Sequence, residues 1–129
     1  MVVIYPIVID VDDDGYHVTA PDFRNHTFGS SLEEALSMAS DMICGLMDIM
    51  EEDGQEIPTP SPLKDFPQGD NVISTLVTAD LDAFRAKYDM RAVRKNCTIP
   101  QWLNKQAEAA HINFSEVLQE GLKQKLGIV

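Results

Sequence analysis

Residues 93–127, VRKNCTIPQWLNKQAEAAHINFSEVLQEGLKQKLG, contain one short strand pattern followed by two helix patterns. The strand is predicted over Val93–Ile99. Pro100 ends it at a position favoured for the first residue of a helix, where a missing N–H has no helical partner. Apolar residues then recur at helical spacing over roughly residues 100–110 and 114–126. The stretch therefore predicts a strand, a helix, a turn and a second helix.

The second of these helices has clear signals at both ends. Asn113 can cap its N-terminus, Glu116 stands three residues later as a capping-box partner, and Gly127 is a typical C-terminal stop. His111 and Ile112 are left as the turn between the helices. The apolar positions expected on the buried faces of the two helices are Leu103, Ala107, Ala110, Val117, Leu118, Gly121, Leu122 and Leu126.

A strand and two helices of this size cannot bury enough surface to fold alone, and a single strand has no partner for its backbone hydrogen bonds. Two copies that pair their strands antiparallel across a two-fold axis, with the helices packed beneath, solve both problems. Gly121 supports close helix packing, because a glycine within a helix otherwise costs about 1 kcal/mol relative to alanine. The expected unit is therefore a homodimeric ribbon-helix-helix.

Strand alternation assigns the two faces of this ribbon. Cys97 and Ile99 are expected to point into the helical core. The outward-facing residues are Arg94, Asn96 and Thr98. A two-stranded ribbon fits the major groove of B-DNA, where Arg pairs with guanine and Asn with adenine. At the start of the second helix, Asn113 and Ser115 offer free N–H groups and a hydroxyl to a phosphate.

Two alternatives remain open for this unit. It could be a dimerisation module whose polar strand is only solvated and never touches DNA. A plain helix-turn-helix is the weaker alternative, because a strand followed by proline and a helix is not its order of elements.

The beginning of the chain predicts three strands of an antiparallel sheet. An apolar, β-branched run at Val2–Val11 and an alternating run at 16–20 flank Asp12–Gly15. An Asp-Gly step between two such runs is a strong hairpin signal. Residues 26–29 predict a short third strand, after a loop at 21–25.

A long amphipathic helix follows. Ser30 or Ser31 can cap it, and Glu33 and Glu34 place carboxylates in its positive first turn. The helix is expected to end near Gly54. Its predicted apolar face consists of Leu32, Leu36, Ala39, Ile43, Leu46, Met47 and Met50.

Beyond this helix, residues 54–70 contain four of the seven prolines and are expected to form a stiff, irregular connection. A fourth strand is predicted over 71–78. The chain then divides into an α+β domain at 1–78, a linker with a short helix at 79–90 and the ribbon-helix-helix at 91–129. In the first domain a small antiparallel sheet carries the long helix on one face.

Charge is distributed unevenly between the two parts. Residues 1–90 carry eighteen acidic and four basic side chains, a net charge of −14. Residues 91–129 carry three acidic and six basic side chains, a net charge of +3. The acidic part should repel nucleic acid and attract basic proteins, whereas the basic part can tolerate phosphate.

The sequence shows no signal for a membrane or for export. No apolar run is long enough to cross a bilayer and no signal peptide is visible, so a cytoplasmic protein is expected. Cys44 and Cys97 lie far apart with no histidine at ligand spacing. Two buried thiols are therefore expected, and no metal site.

Taken in order, these segments resemble the HicB family of antitoxins. YPIVIDVDDDGYHVTAPDF at 5–23, the SSLEEAL helix start and EDGQEIPTPSPL at 52–63 are similar to that family's N-terminal domain. VRKNCTIPQWLNKQAEAAHINFSEVLQEGL at 93–122 looks like the ribbon-helix-helix tail of some members. The loop at Arg24–His26 departs from the pattern, because the family often has a small residue followed by glycine-cysteine there.

The resemblance implies the antitoxin of a type II toxin–antitoxin pair. Its N-terminal domain, a partial ribonuclease-H-like fold, would cover a small basic mRNA-cleaving toxin of the HicA kind. Its C-terminal homodimer, alone or in a higher oligomer, would bind palindromic operator DNA and repress the pair's own operon. The charge of residues 1–90 agrees with this, since an acidic blocker suits a basic toxin.

Acidic residues raise two further possibilities. Asp10, Asp12 and Asp14 match early positions of a calcium-binding EF-hand loop, but its last position is Pro21 and its flanks are strands. A metal-dependent ribonuclease would need carboxylates gathered on the sheet, for which Asp10 and Asp22 are available.

The histidines do not suggest catalysis. His17 lies on an alternating strand without a nucleophile beside it, and His111 lies in the turn between two helices. No catalytic residue, cofactor or metal ligand is predicted, and the protein is not expected to be an enzyme. A metal-dependent ribonuclease and a dimeric interaction scaffold without a role on DNA remain the alternatives.

Overall fold

A computed structural model describes residues 1–128, which form two compact units, Met1–Arg91 and the residues from Ala92 onward. The elements of the first unit are β1 (Val2–Asp12), β2 (Gly15–Ala20), a 3-10 turn (Pro21–Phe23), β3 (Asn25–Gly29), α1 (Leu32–Glu52), a 3-10 turn (Leu63–Asp65), β4 (Val72–Asp80) and α2 (Leu81–Tyr88). The four strands form one antiparallel sheet in the order β3-β2-β1-β4, and α1 packs on it. This is the predicted α+β arrangement of a small sheet and one long helix.

The β1–β2 hairpin forms where the Asp-Gly step predicts it. One carboxylate oxygen of Asp12 accepts hydrogen bonds from the backbone N–H groups of Asp14 at 2.8 Å and Gly15 at 3.1 Å. Gly15 adopts a φ of 138°, and a Cβ at this position would lie 2.7 Å from the ring of Phe28. The turn thus requires glycine both for its backbone conformation and for space.

The hydrophobic core lies between the sheet and α1. Every second residue of β1 is buried in it, namely Tyr5, Ile7 and Ile9. The buried residues of α1 are Ala35, Ala39, Ile43, Cys44 and Met47. Val3 and Val11, on the same side of β1, pack against this core as well, and because the two faces of a strand alternate, the even-numbered residues of β1 face away from α1.

The buried face of α1 differs from the predicted one at its first turn. Ser31 is the N-cap and accepts the N–H of Glu34 at 3.1 Å, as expected. Leu32, however, is 39% exposed, whereas Ala35, absent from the predicted face, is fully buried. The cause is a close approach of β3, because a Cβ on Gly29 would lie 2.4 Å from the backbone nitrogen of Ala35. The first turn therefore meets the sheet at Ala35.

The proline-rich connection between α1 and β4 is fastened to the rest of the unit. The hydroxyl of Tyr5 donates a hydrogen bond to the carbonyl of Pro58 at 2.6 Å. Ser61 donates to the carboxylate of Asp22 through its N–H at 3.0 Å and also through its hydroxyl. These bonds satisfy polar groups that are partly buried, and they hold the irregular chain against the sheet.

The last strand and the second helix follow each other without a loop. β4 runs to Asp80, two residues beyond the predicted strand, and Asp80 caps α2 by accepting the N–H of Ala83 at 3.1 Å. Nε of Arg85 on α2 donates to Asp48 on α1 at 2.8 Å. The short helix predicted within 79–90 thus belongs to the first compact unit.

The second unit contains α3 (Gln101–Ala109) and α4 (Phe114–Leu126), close to the two predicted helices. The side chain of Asn113 caps α4 by accepting the N–H of Glu116 at 3.2 Å. Gly127 follows α4 with a φ of 72°, the left-handed conformation that favours glycine.

The structure of the single chain differs from three of the expectations for this unit. Among the described residues, none pairs with the predicted strand Val93–Ile99, which stays irregular because a strand needs a partner for its backbone groups. The helix positions predicted to be buried are largely exposed, Leu126 by 71%. Cys97 is exposed as well, so only Cys44 is a buried thiol. Neither unit has, in the part of the chain described, a helix long and apolar enough to span a bilayer.

Candidate nucleic-acid interface and partner surface

The segment before α3 presents alternate side chains to a cavity in the second unit. This cavity has a volume of about 450 Å³. The segment contributes Lys95, Cys97 and Ile99 to its lining, and α3 and α4 contribute Asn104, Phe114, Ser115, Val117 and Leu118. Arg94, Asn96 and Thr98, which alternate with these residues along the segment, are exposed and are not part of the lining. Two sets of side chains with opposite directions are therefore already present in the single chain.

The five residues predicted to bind DNA are all exposed, but they do not form one group. Arg94, Asn96 and Thr98 lie on the extended segment, whereas Asn113 and Ser115 lie at the start of α4. Oδ1 of Asn113 is occupied as the helix cap, which leaves the amide N–H groups of that side chain as donors. Ser115 lines the cavity with Lys95. Lys95 is a cation that sequence reasoning left out of the site, and the alternation places it on the cavity side with Cys97 and Ile99.

The second unit has no core of its own in the single chain. No residue of α3 or α4 is buried. Its large apolar side chains with exposure of 39% or more are Val93, Ile99, Trp102, Leu103, Ile112, Phe114, Val117, Leu118, Leu122, Leu126 and Ile128. Exposed apolar side chains in this number are typical of a unit that another chain covers.

Sequence analysis did not assign Ile112 and Phe114 to the apolar face, although a local signal was available for Ile112. Ile112 precedes the cap Asn113, and Val117 is the fourth residue of α4, which is the spacing of a hydrophobic staple. Phe114 is 46% exposed and lines the cavity beside the segment before α3. Ile112 and Phe114 therefore add to the exposed apolar surface of the second unit.

The carboxylates of the first unit are partly neutralised near its last residues. Nη2 of Arg91 lies 2.7 Å from Asp89 and 3.2 Å from Glu52. The hydrogen bond from Arg91 holds the pKa of the Asp89 carboxyl at about 2, well below its usual range. The guanidinium of Arg85 is shared in the same way between Asp48 and Glu51 of α1, so two arginines bind acidic residues at the ends of α1 and α2.

The residues considered for metal-dependent chemistry lie in different settings. Asp10 is exposed on β1, in register with His17 on β2. Asp22 is bound to Ser61 through both of its carboxylate oxygens. Within residues 1–128, no three His, Cys, Asp or Glu side chains come close enough together to hold a metal ion.

A model of the family described as HicB-like antitoxin of bacterial toxin–antitoxin system matches residues 5–121 of this chain. The chain belongs to that family. A relative of this HicB-like chain, described as an uncharacterized 14.9 kDa protein in the rep-hol intergenic region of Haemophilus phage HP1, is 33% identical over 104 residues. That match covers 78% of this chain and 75% of the phage protein.

A relative named as an antitoxin matches a shorter stretch of the chain. Antitoxin HicB 2 of Photorhabdus laumondii is 43% identical over 58 residues, which cover 44% of this chain and 42% of that protein. The match thus covers less than half of each protein.

Solved structures resemble the chain over nearly its whole length. One is described as a toxin–antitoxin complex from Streptococcus pneumoniae, with a TM-score of 0.59 and 26% identity over 97% of this chain and 99% of that one. The antitoxin HicB of Burkholderia pseudomallei has a TM-score of 0.55 and 24% identity over 96% of this chain and 98% of its own, and supports the fold alone. The predicted membership of the HicB-like antitoxins is confirmed.

Proposed function

We propose that this HicB-like antitoxin has two binding activities. Its first unit covers and neutralises a small, basic, mRNA-cleaving toxin of the HicA kind. Its second unit forms a ribbon-helix-helix homodimer, alone or in a higher oligomer, which binds palindromic operator DNA and represses the operon of the pair. In this proposal the protein acts in the cytoplasm by binding and carries out no catalysis.

The observation that carries the DNA-binding half is the alternation in the segment before α3. Cys97 and Ile99 line the cavity against the helices, and the intervening side chains do not. When the segments of two copies pair as antiparallel strands, this alternation leaves one face of the ribbon polar. That face presents Arg94, Asn96 and Thr98 at the width of a major groove.

The dimer is supported by the exposed apolar face of the second unit. A fold of about 38 residues with no buried helix residue does not exclude enough apolar surface from water to be stable alone. A second copy supplies the missing partner strand and covers the helices in one step. The two-fold symmetry of such a dimer requires a near-palindromic operator.

The toxin-binding half is supported by charge and by the family. Residues 1–90 have a net charge of −14, which attracts a protein that carries a basic RNA-binding surface. One structural relative is described as part of a toxin–antitoxin complex. Because the acidic unit also repels DNA, a bound basic toxin would strengthen operator binding by screening that charge.

A gel shift with the DNA upstream of the chain's own gene tests the DNA-binding half. Arg94→Ala should weaken operator binding by about tenfold or more, since a bidentate arginine–guanine contact contributes ~1–3 kcal/mol. Lys105→Ala on α3 is the matched control, which removes the same charge outside the ribbon. Sedimentation must show that both variants remain dimers. Equal affinities for Arg94→Ala and the wild type would contradict the ribbon assignment, and binding without sequence preference would favour a scaffold.

The ribonuclease alternative has its own measurement. The purified chain, incubated with RNA and Mg²⁺ or Mn²⁺, should leave the RNA intact. Metal-dependent cleavage that is lost in Asp10→Asn would contradict the proposal that the protein is not an enzyme.

A further inference from the structure

The open edge of the sheet is a part of the first unit whose backbone is only partly paired. β4 is an edge strand with β1 on one side. On its other side, Gln68 accepts the N–H of Ser74 at 3.1 Å and donates to its carbonyl at 2.5 Å. Ser40 donates to the carbonyl of Thr78 at 2.7 Å. Because every second residue of a strand points its backbone groups to the same side, the N–H and C=O of Leu76 also point to this open edge.

Pro6 supports the same orientation for Leu76. The two residues are opposite each other in the β1–β4 register, and Pro6 has no N–H, so they do not form a hydrogen-bonded pair. Within the described part of the chain, no group bonds to the N–H or C=O of Leu76 or to the N–H of Thr78. These three groups can form the ladder of an added strand, which is how extended segments of partner proteins bind to sheet edges.

An acidic cavity of about 300 Å³ adjoins this edge, between α1, α2 and the end of β4. Thr78, Asp41 and Asp80 are among its lining residues. Burial raises the pKa of the Cys44 thiol, and the charges of Asp41 and Asp80 raise it further, so both carboxylates act on the same space. Lys87 also lines the cavity and neutralises one of the two charges in part.

An exposed apolar patch lies on the outer face of the sheet beside the same edge. Leu76 is 49% exposed, and Ile4 and Val2 on the neighbouring strand are 52% and 62% exposed. All three face away from α1, because the alternate residues of both strands are buried against it. An edge with free backbone groups and an apolar flank is rare on a protein that has no partner for it.

We propose that the β4 edge at Leu76–Thr78 binds a β-strand of a basic partner protein, and that the adjoining cavity receives a Lys or Arg side chain of that strand. Charge selects this occupant over a second copy, since residues 1–90 of two copies, each with a net charge of −14, would repel each other across the edge. The inference rests on the proposed function, in which the basic partner is the toxin.

Calorimetric titration of the full chain with the basic protein encoded by the adjacent reading frame tests the cavity. The double variant Asp41→Asn with Asp80→Asn removes two charges and preserves the cap of α2, because asparagine caps helices as well as aspartate does. We expect its binding to be at least about tenfold weaker than that of the wild type. The matched control, Asp13→Asn with Asp14→Asn at the β1–β2 turn, makes the same charge change and should bind within about twofold of the wild type.

Amide hydrogen exchange tests the edge itself. Exchange at Leu76 and Thr78 should slow when the partner binds, whereas Val77, whose N–H faces β1, should change little. If the wild type binds while the acidic variants bind equally well and these amides stay unprotected, the docking site is wrong and the antitoxin function stands. If the wild type does not bind, both are wrong. Protection of Leu76 that grows with the concentration of the chain alone would show that a second copy occupies the edge and would overturn the proposal.

Discussion

Nε of Arg85 donates a hydrogen bond to Oδ1 of Asp48 at 2.8 Å, and this contact ties α2 to α1. The two side chains are 35% and 24% exposed, so solvent screens the pair. We expect Arg85→Met to lower the free energy of unfolding by about 0.5–1 kcal/mol, and Asp48→Asn to act through the same contact. Urea denaturation of the single and double variants measures the coupling, with Lys64→Met as control. Strict additivity would contradict the pairing.

The contact between β3 and α1 depends on Gly29. A Cβ there would lie 2.4 Å from the backbone nitrogen of Ala35, and backbone cannot move aside as a flexible side chain can. We expect Gly29→Ala to destabilise the first unit by about 2–3 kcal/mol in denaturation experiments. Gly69→Ala is the control, because no atom lies within 4 Å of a Cβ at that position. Equal stability of the two variants would rule out the close approach.

The effect of substituting Gly121 distinguishes an isolated second unit from a dimer in which helices pack at this position. In the single chain, no atom lies within 4 Å of a Cβ at Gly121. Alanine would therefore stabilise an isolated α4 by about 1 kcal/mol. In a dimer where a second helix packs against Gly121, the added methyl group should raise the dissociation constant by about tenfold. Sedimentation equilibrium measures this, with Gln119→Ala as control, and a tighter Gly121→Ala dimer would refute the packing.

The contact between Arg91 and Asp89 should appear in acid titration. The pKa of Asp89 is held at about 2, so its contribution to stability is present above about pH 4 and is lost as the pH falls towards 2. Carboxyl NMR should show that Arg91→Gln returns the pKa of Asp89 towards ~3.9. Lys123→Gln in the second unit should leave that titration unchanged. A pKa of Asp89 that does not respond to Arg91→Gln would show that the contact is absent in solution.

Local signals were enough to predict most elements of the first unit. The Asp-Gly step, the Ser31 cap and the proline-rich connection each correspond to a feature of the structure. The buried face of α1 was less predictable, because the contact of Ala35 with Gly29 joins two elements and leaves no periodic mark in either. Residues that fasten the connection, such as Ser61 with Asp22, were missed for the same reason.

For the second unit, prediction from sequence is limited by the need for a second copy of the chain. Its helices and the Asn113 cap follow from local sequence and are present in the single chain. The strand over Val93–Ile99 and the burial of Cys97 require a second copy, so they cannot appear in one chain and stay predictions. Ser115 was assigned to a phosphate contact at the start of the second helix, and the structure also places it in the lining of the cavity with Lys95, which sequence reasoning missed because residues of α4 meet the segment only through the fold of the unit.

A growth assay with the adjacent reading frame tests the antitoxin function most directly. Expression of its basic product alone should arrest growth and cleave mRNA, and co-expression of the full chain should restore growth. An expressed, folded chain with Asp13→Asn and Asp14→Asn should restore it equally well, because those residues lie at the β1–β2 turn. Continued arrest in the presence of the soluble wild-type chain, or a product that has no effect on growth, would contradict the account.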